Sequence, residues 1–216
     1  MLAKAPAAGR SKTRCSPPCT PEQAAVLAAA ALHDTLATVA ATPARRRVVV
    51  LDGPIGPWLP AGFDVMAQRG DGLDERLAAA FTDVGGPAVL IGMDTPQVSE
   101  QLLVEAQRTL TTGDVDAVLG PADDGGYWLV GLRRPDPAVF LGVPMSTAGT
   151  AHAQLRRLHE RGYRVELLPR LRDVDTFADA VAVAATVPDS RFARTVTRLA
   201  LATARAERAA TAVVAS

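Results

Sequence analysis

The amino-acid sequence predicts an α/β protein with a mainly parallel central sheet and helices on both faces. Three observations carry this. Short apolar runs alternate with longer stretches of helical period, as strand–helix repeats do. The composition, 48% hydrophobic and 21% charged over 216 residues, is that of a folded core and not of a disordered chain. Turn residues fall between the runs, and no loop, Gly53–Trp58 included, is long enough to divide two domains.

Each element has its own signal. Residues 47–52, 87–93 and 116–120 are apolar runs of buried-strand type, and residues 63–68, 127–132 and 163–168 are weaker strand candidates. Helical spacing covers residues 21–41, 73–83, 99–111, 150–161 and 176–187. The first of these helices begins on a capping hydroxyl, Thr20, then Pro21 and the acidic Glu22. The first strand is short: only Met1–Ala3 precede a basic loop, where a central strand runs to about five or six residues. A start upstream of Met1 is the expectation that follows. Residues 189–216 are Ala- and Arg-rich, with Phe192, Val196, Leu199 and Leu201 at helical spacing. They read as a helical tail behind a main domain of residues 1–188, packed on the body, with a homodimer through this helix as the partner arrangement it suggests.

Formal net charge is zero, so no overall field draws the chain to nucleic acid or to anionic lipid. No apolar run approaches the roughly 18 residues that span a bilayer, and the first residues lack the pattern of a signal peptide. A cytoplasmic protein with neither nucleic acid nor membrane as partner is expected. With no second Cys or His cluster, Cys15 reads as a small buried hydrophobe and Cys19 as incidental.

Among 23 basic residues only Lys4 and Lys12 are lysines, and both stand in one loop. Lysine and arginine differ in shape and hydration, so this placement points to a phosphate site needing compact ammonium groups. The loop from Lys4 to Arg14 follows the first strand and precedes the first long helix, where a parallel sheet presents its ligand loop. Gly9 and its small neighbours let the backbone approach a ligand, and Lys4, Arg10, Lys12 and Arg14 supply donors for phosphate oxygens. Solvated surface charge is the plainer reading of such a run.

Four further motifs sit where ligands bind. Leu90 to Pro96 delivers one carboxylate, Asp94, to a strand's carboxyl end, as a ligand for Mg²⁺ or as a turn aspartate. Gly120 to Trp128 gathers Asp123, Asp124, Gly125, Gly126, Tyr127 and Trp128, in a hairpin turn or a pocket for a polar acceptor. Leu171 to Thr176 places Asp173 and Asp175 on one side of an extended segment, so that one of them can face the site; Asp175 or Thr176 can instead cap the next helix. Gln68, Gly70 and Gly72, between a strand and a helix, suit a base edge or a phosphate.

The loop KAPAAGRSKTR, then QRGDGLDERL, GMDTP, GPADDGGYWLVGL and DVDT, in this order, resemble a bacterial family of GT-A-like transferases often labelled glycosyltransferase. The basic loop is also similar to that of 2-phospho-L-lactate guanylyltransferase, and DVDT to a segment of molybdenum-cofactor nucleotidyltransferases. The resemblance implies a three-layer GT-A-like fold of the nucleotide-diphospho-sugar transferase kind. It implies that Lys4, Gly9, Lys12 and Arg14 bind nucleotide phosphates and that Asp94 and Asp175 hold a divalent cation, Mg²⁺ or Mn²⁺. It also implies that Asp124, Gly125 and Gly126 line the pocket of a second substrate, where the strand's own pattern adds Tyr127. Cys15 and Met145 depart from the family pattern, which has leucine and tryptophan there.

Two transfer reactions and one binding role follow. In nucleotidyl transfer a nucleoside triphosphate activates a phosphorylated or hydroxylated small molecule, with Lys12, Asp94 and Asp124 as the catalytic residues; four basic groups in one loop suit a triphosphate. In glycosyl transfer a nucleotide-sugar is the donor and Asp124 activates the acceptor hydroxyl. A nucleotide-binding domain without turnover is the third reading.

Overall fold

β-Branched and leucine-rich runs form seven strands in the computed structural model, which describes residues 1–112 and 114–214. They are β1 (Leu2–Lys4), β2 (Val48–Asp52), β3 (Asp64–Ala67), β4 (Ala88–Ile91), β5 (Ala117–Pro121), β6 (Tyr127–Leu132) and β7 (Val165–Leu167). Helices α1 (Pro21–Ala41), α2 (Leu73–Val84), α3 (Glu100–Thr112), α4 (Thr150–Glu160), α5 (Phe177–Thr186) and α6 (Arg191–Val214) lie between and after them. The order β1-β2-β3 forms one parallel sheet, and β4-β6-β5-β7 forms a second. In the second sheet β6 runs antiparallel to both β4 and β5, while β5 and β7 are parallel.

The antiparallel strand therefore lies inside the second sheet, between β4 and β5. The turn at Asp123–Gly126 folds β6 back on β5, and the apolar run of β6, buried from Trp128 to Leu132, belongs at a sheet centre.

Strands buried on both faces build the three layers. Val49 and Leu51 face one way, with Ile91, Val118 and Leu129, and pack under Leu32 and Leu36 of α1 and Leu103 and Leu110 of α3. Val48 and Val50 face the other way, toward Ala80 of α2, and Leu119, Val130 and Leu132 meet Leu77, Phe81 and Leu158. Phe81 stacks on Phe140 with ring centroids 5.1 Å apart. A third cluster joins α1, α5 and α6 through Leu27, Ala31, Val183, Phe192 and Val196, so the first turns of the tail helix pack on the body.

Capping boxes begin two helices. The Thr20 hydroxyl accepts from the Gln23 N–H while the Gln23 side chain accepts from the Thr20 N–H. Thr176 and Asp179 do the same for α5, which leaves Asp175 out of the cap. Against the expectation that no apolar stretch reaches membrane length, α1 is long and apolar enough to cross a bilayer by length and composition. Its Leu27, Leu32 and Leu36 are buried in the cores just described.

β1 and β4 face each other across a seam between the sheets, joined by a contact of 3.2 Å from the Lys4 N–H to the Met93 sulfur. At the amino-terminal end of this seam lies an open cleft of about 740 Å³, lined by Val48, Val50, Val84 and Leu90 among others and by no carboxylate. The charged motifs lie at the other end.

Candidate functional site

The strands bring the motifs to one edge. Lys4 ends β1 and pairs in register with Asp52, which ends β2. The loop after β4 carries Asp94, whose carbonyl accepts from the Val174 N–H at 2.8 Å. The β5–β6 turn is tied to the same segment, because the Asp123 N–H donates to the Leu171 carbonyl at 3.0 Å. Three loops distant in sequence are thus hydrogen-bonded into one rim.

The basic loop closes on itself before it meets that rim. The Arg10 and Ser11 N–H groups donate to the Ala7 carbonyl, and the buried Ser11 hydroxyl accepts from the Ala7 N–H at 3.0 Å. Gly9 takes a φ of 71°, which glycine adopts without cost. Lys12 also takes a left-handed φ, 50°, which costs a non-glycine residue roughly 1–2 kcal/mol. What the strained backbone achieves is the aim of its side chain. The Lys12 ammonium lies 2.5 Å from Asp94 Oδ1 with only 9% of the side chain exposed, against 48% for Asp94. It also donates to the Val174 carbonyl.

Two other cations of the loop have carboxylates too. Lys4 lies 3.6 Å from Asp52, and Arg76 of α2 lies 3.6 Å from the same carboxylate. Arg14 pairs with Asp175. Arg10 is exposed to solvent.

Asp175, expected to share a cation with Asp94, has its carboxylate paired with Arg14. Asp173 is the acid that feels the rest of the site. Burial, then the charge of Asp124 and more weakly that of Asp94, push its carboxyl up to about 6, with Lys12 opposing. Val174 between them is fully buried, which turns Asp173 and Asp175 outward.

The acidic turn is held tightly. Asp124 Oδ1 accepts from the Gly126 N–H at 2.7 Å. Gly125 has a φ of 89°, and a Cβ there would stand 1.9 Å from the Ala148 carbonyl oxygen. The Gly125 carbonyl accepts from the Ala151 N–H, which presses the turn onto the start of α4. Trp128 is buried against Gly120 and donates its indole N–H to the Pro169 carbonyl at 3.0 Å.

Two expected site residues face inward. Tyr127 donates to Gln154 Oε1 at 3.3 Å and packs against the core at Met145, and burial raises its hydroxyl pKa well above the ordinary value. It fixes the strand and does not offer its hydroxyl to an acceptor. Gln68 reaches across the sheet, its amide donating to the Ala3 and Val50 carbonyls at 2.8 and 3.2 Å. That amide is spent on the fold and not on a base edge. Gly70, at a φ of 114°, lets the loop close on Glu75, and Gly72 caps α2 without a side chain. Cys15 and Cys19 are buried free thiols; burial, chiefly, pushes Cys15 up to about 11.

Sequence reasoning missed Asp52 and Arg76. Asp52 ends an apolar strand as Asp94 follows one, so its signal was present, whereas nothing local marks Arg76.

Residues 24–147 match the model of a bacterial family described as uncharacterized protein conserved in bacteria (DUF2064). This chain belongs to that family. A structure from Desulfovibrio desulfuricans G20, described provisionally as a nucleotide-diphospho-sugar transferase, is 30% identical, with 94% of this chain and 95% of that one covered at a TM-score of 0.81. CMP:2-keto-3-deoxy-manno-octonic acid synthetase, solved with CTP, aligns over 87% of this chain and 97% of its own at a TM-score of 0.59 and 12% identity. Rv0371c of Mycobacterium tuberculosis H37Rv, solved with manganese, aligns over 84% and 95% at a TM-score of 0.51 and 20% identity. No curated protein matches the sequence. The fold is the GT-A-like, nucleotide-diphospho-sugar transferase fold.

Among the described residues no three Asp, Glu, His or Cys side chains form a metal cage. Mg²⁺ does not need one, because it takes one or two carboxylates and completes its shell with water and phosphate oxygens. The residues present fit that demand: Asp94 is half exposed, and after burial the charges of Asp124 and, more weakly, Asp94 raise the carboxyl of Asp173. A divalent cation would relieve the same repulsion.

Proposed function

We propose that this protein is a Mg²⁺-dependent nucleotidyltransferase that activates a small phosphorylated or hydroxylated acceptor with a nucleoside triphosphate. The observation that carries the reading is the opposition at one sheet edge of Lys4, Lys12 and Arg14 on a single loop to Asp94, Asp124 and Asp173 on three others. An acceptor oxygen attacks the α-phosphorus, the bond from that phosphorus to its bridging oxygen breaks, and pyrophosphate leaves. Lys4, Lys12 and Arg14 hold the phosphates in line and offset the charge that develops on the leaving group. Asp94 with Asp173 would hold the cation, which draws charge from the phosphate oxygens. Where the acceptor is a hydroxyl, Asp124 takes its proton; Gly125 and Gly126 keep the turn close enough to approach it.

Glycosyl transfer from a nucleotide-sugar is the second reading, favoured by the description of the Desulfovibrio structure. A thermal-shift panel with Mg²⁺ separates them. Triphosphates are expected to raise Tm more than nucleotide-sugars; the reverse order transfers the assignment, and no response to either removes it.

A further inference from the structure

Lys12 presents a contradiction as a phosphate ligand. Its ammonium is the most enclosed cation of the ion pairs in the loop, with 9% of the side chain exposed, and it is committed to Asp94 and to the Val174 carbonyl. An incoming phosphate cannot reach it there. Asp94, by contrast, is 48% exposed, so an incoming cation can reach the carboxylate. The strained φ of Lys12 shows that the fold bears a cost to hold this arrangement. The pattern recurs along the loop, since Lys4 rests on Asp52 and Arg14 on Asp175.

We propose that Lys12 is an internal counter-ion that occupies the cation position at Asp94 in the ligand-free protein, so that metal and triphosphate bind only by exchanging partners with this ion pair. The proposal rests on the reading of Asp94 as a metal ligand and adds regulation of that site. A divalent ion arriving alone must displace the ammonium, which then lies uncompensated beside the Val174 carbonyl. A triphosphate arriving alone must draw Lys12 away and leave Asp94 unpaired near Asp124 and Asp173. Arriving together, the ion takes Asp94 and the phosphate takes Lys12, and no charge is left unpaired. Each ligand is therefore weak alone and tight in company. By linkage the factor by which one strengthens the other is the same in both directions.

The consequence runs against the usual effect of deleting a binding residue. Removing Lys12 opens Asp94, so the Lys12→Gln and Lys12→Met variants should bind Mn²⁺ alone about tenfold more tightly than the wild type. Removing the acid frees the ammonium, so Asp94→Asn should bind metal-free nucleoside triphosphate about tenfold more tightly. The test is Mn²⁺ binding followed by electron paramagnetic resonance, and triphosphate binding followed by calorimetry in EDTA. Wild type, both Lys12 variants and Asp94→Asn are compared, each checked for native circular dichroism. Two Lys12 replacements of different polarity keep the test alive if one fails to fold. Tighter Mn²⁺ binding in the Lys12 variants and tighter metal-free triphosphate binding in Asp94→Asn support the exchange. Mn²⁺ binding that Asp94→Asn abolishes but the Lys12 variants leave unchanged overturns the counter-ion while sparing the metal site. Mn²⁺ binding that is the same in Asp94→Asn as in the wild type overturns the metal reading itself, and the proposal with it.

Discussion

The two sheets divide the charge of the site between them. The all-parallel sheet β1-β2-β3 and the elements that follow its strands contribute Lys4, Arg10, Lys12, Arg14 and Arg76, with Asp52 enclosed between two of them. The mixed sheet β4-β6-β5-β7 and its loops contribute Asp94, Asp123, Asp124, Asp173 and Asp175. The same edge of one fold thus offers a cationic half and an acidic half, which the proposed function assigns to phosphates and to a metal with an acceptor. The difference between the sheets explains the difference in chemistry. Parallel strands end in long crossovers, which leave room for a long basic loop. The antiparallel β6 returns through a tight turn, which sets Asp124 on a short, rigid support.

Four substitutions test this division, from the largest effect to the smallest. Asp94→Asn should lower the transfer rate by about 100-fold or more while the protein stays folded, because the developing phosphate charge loses its cation. Steady-state kinetics with a triphosphate and Mg²⁺ read this, and full activity would remove Asp94 from the acidic half. Gly125→Ala should cost about 2–3 kcal/mol in chemical denaturation, since φ is left-handed and the Ala148 carbonyl occupies the methyl's place. An unchanged midpoint would show that the turn is less rigid than described.

Lys4→Ala lies on the cationic side. It should weaken triphosphate binding by roughly five- to tenfold, with stability altered by no more than about 0.5 kcal/mol because the ammonium is exposed and Arg76 still faces Asp52. Calorimetry and a melting curve on the same sample check both parts. Asp173→Asn should act through pH. Its carboxyl is raised from 3.8 to about 6 in the folded protein, so the stability it contributes is full below 3.8 and is lost as pH rises through 6. The variant escapes that loss. Its advantage over the wild type should open between pH 4 and 6 and then hold at about 1 kcal/mol, discounted for partial exposure. Equal stability of the two proteins at pH 8 would show that Asp173 carries no such penalty.

Most of the fold was legible because periodicity and caps are local. Pro21–Ala41 and Tyr127–Leu132 have the bounds their patterns indicate, and the other elements shift by a few residues. The placement of β6 between β4 and β5 was not, since strand order depends on which edges meet and no local pattern encodes that. The site divides in the same way. Asp94 and Asp124 were visible because each ends or follows an apolar run. Tyr127 and Gln68 share that position and yet spend their polar groups on Gln154 and on the Ala3 carbonyl, partners 27 and 65 residues away. Alternation placed Asp173 and Asp175 together, but only the tertiary fold brings Arg14 to one and Asp124 to the other.

The central claim is that the two halves act on one nucleotide through a cation held by the acidic half. Equilibrium dialysis of a labelled nucleoside triphosphate, with and without Mg²⁺, against wild type and Asp94→Asn tests it most directly. Mg²⁺ should tighten binding to the wild type by about tenfold or more and leave the Asp94→Asn affinity unmoved. Triphosphate affinity that ignores Mg²⁺ in the wild type, or that gains equally from it in Asp94→Asn, would contradict the account.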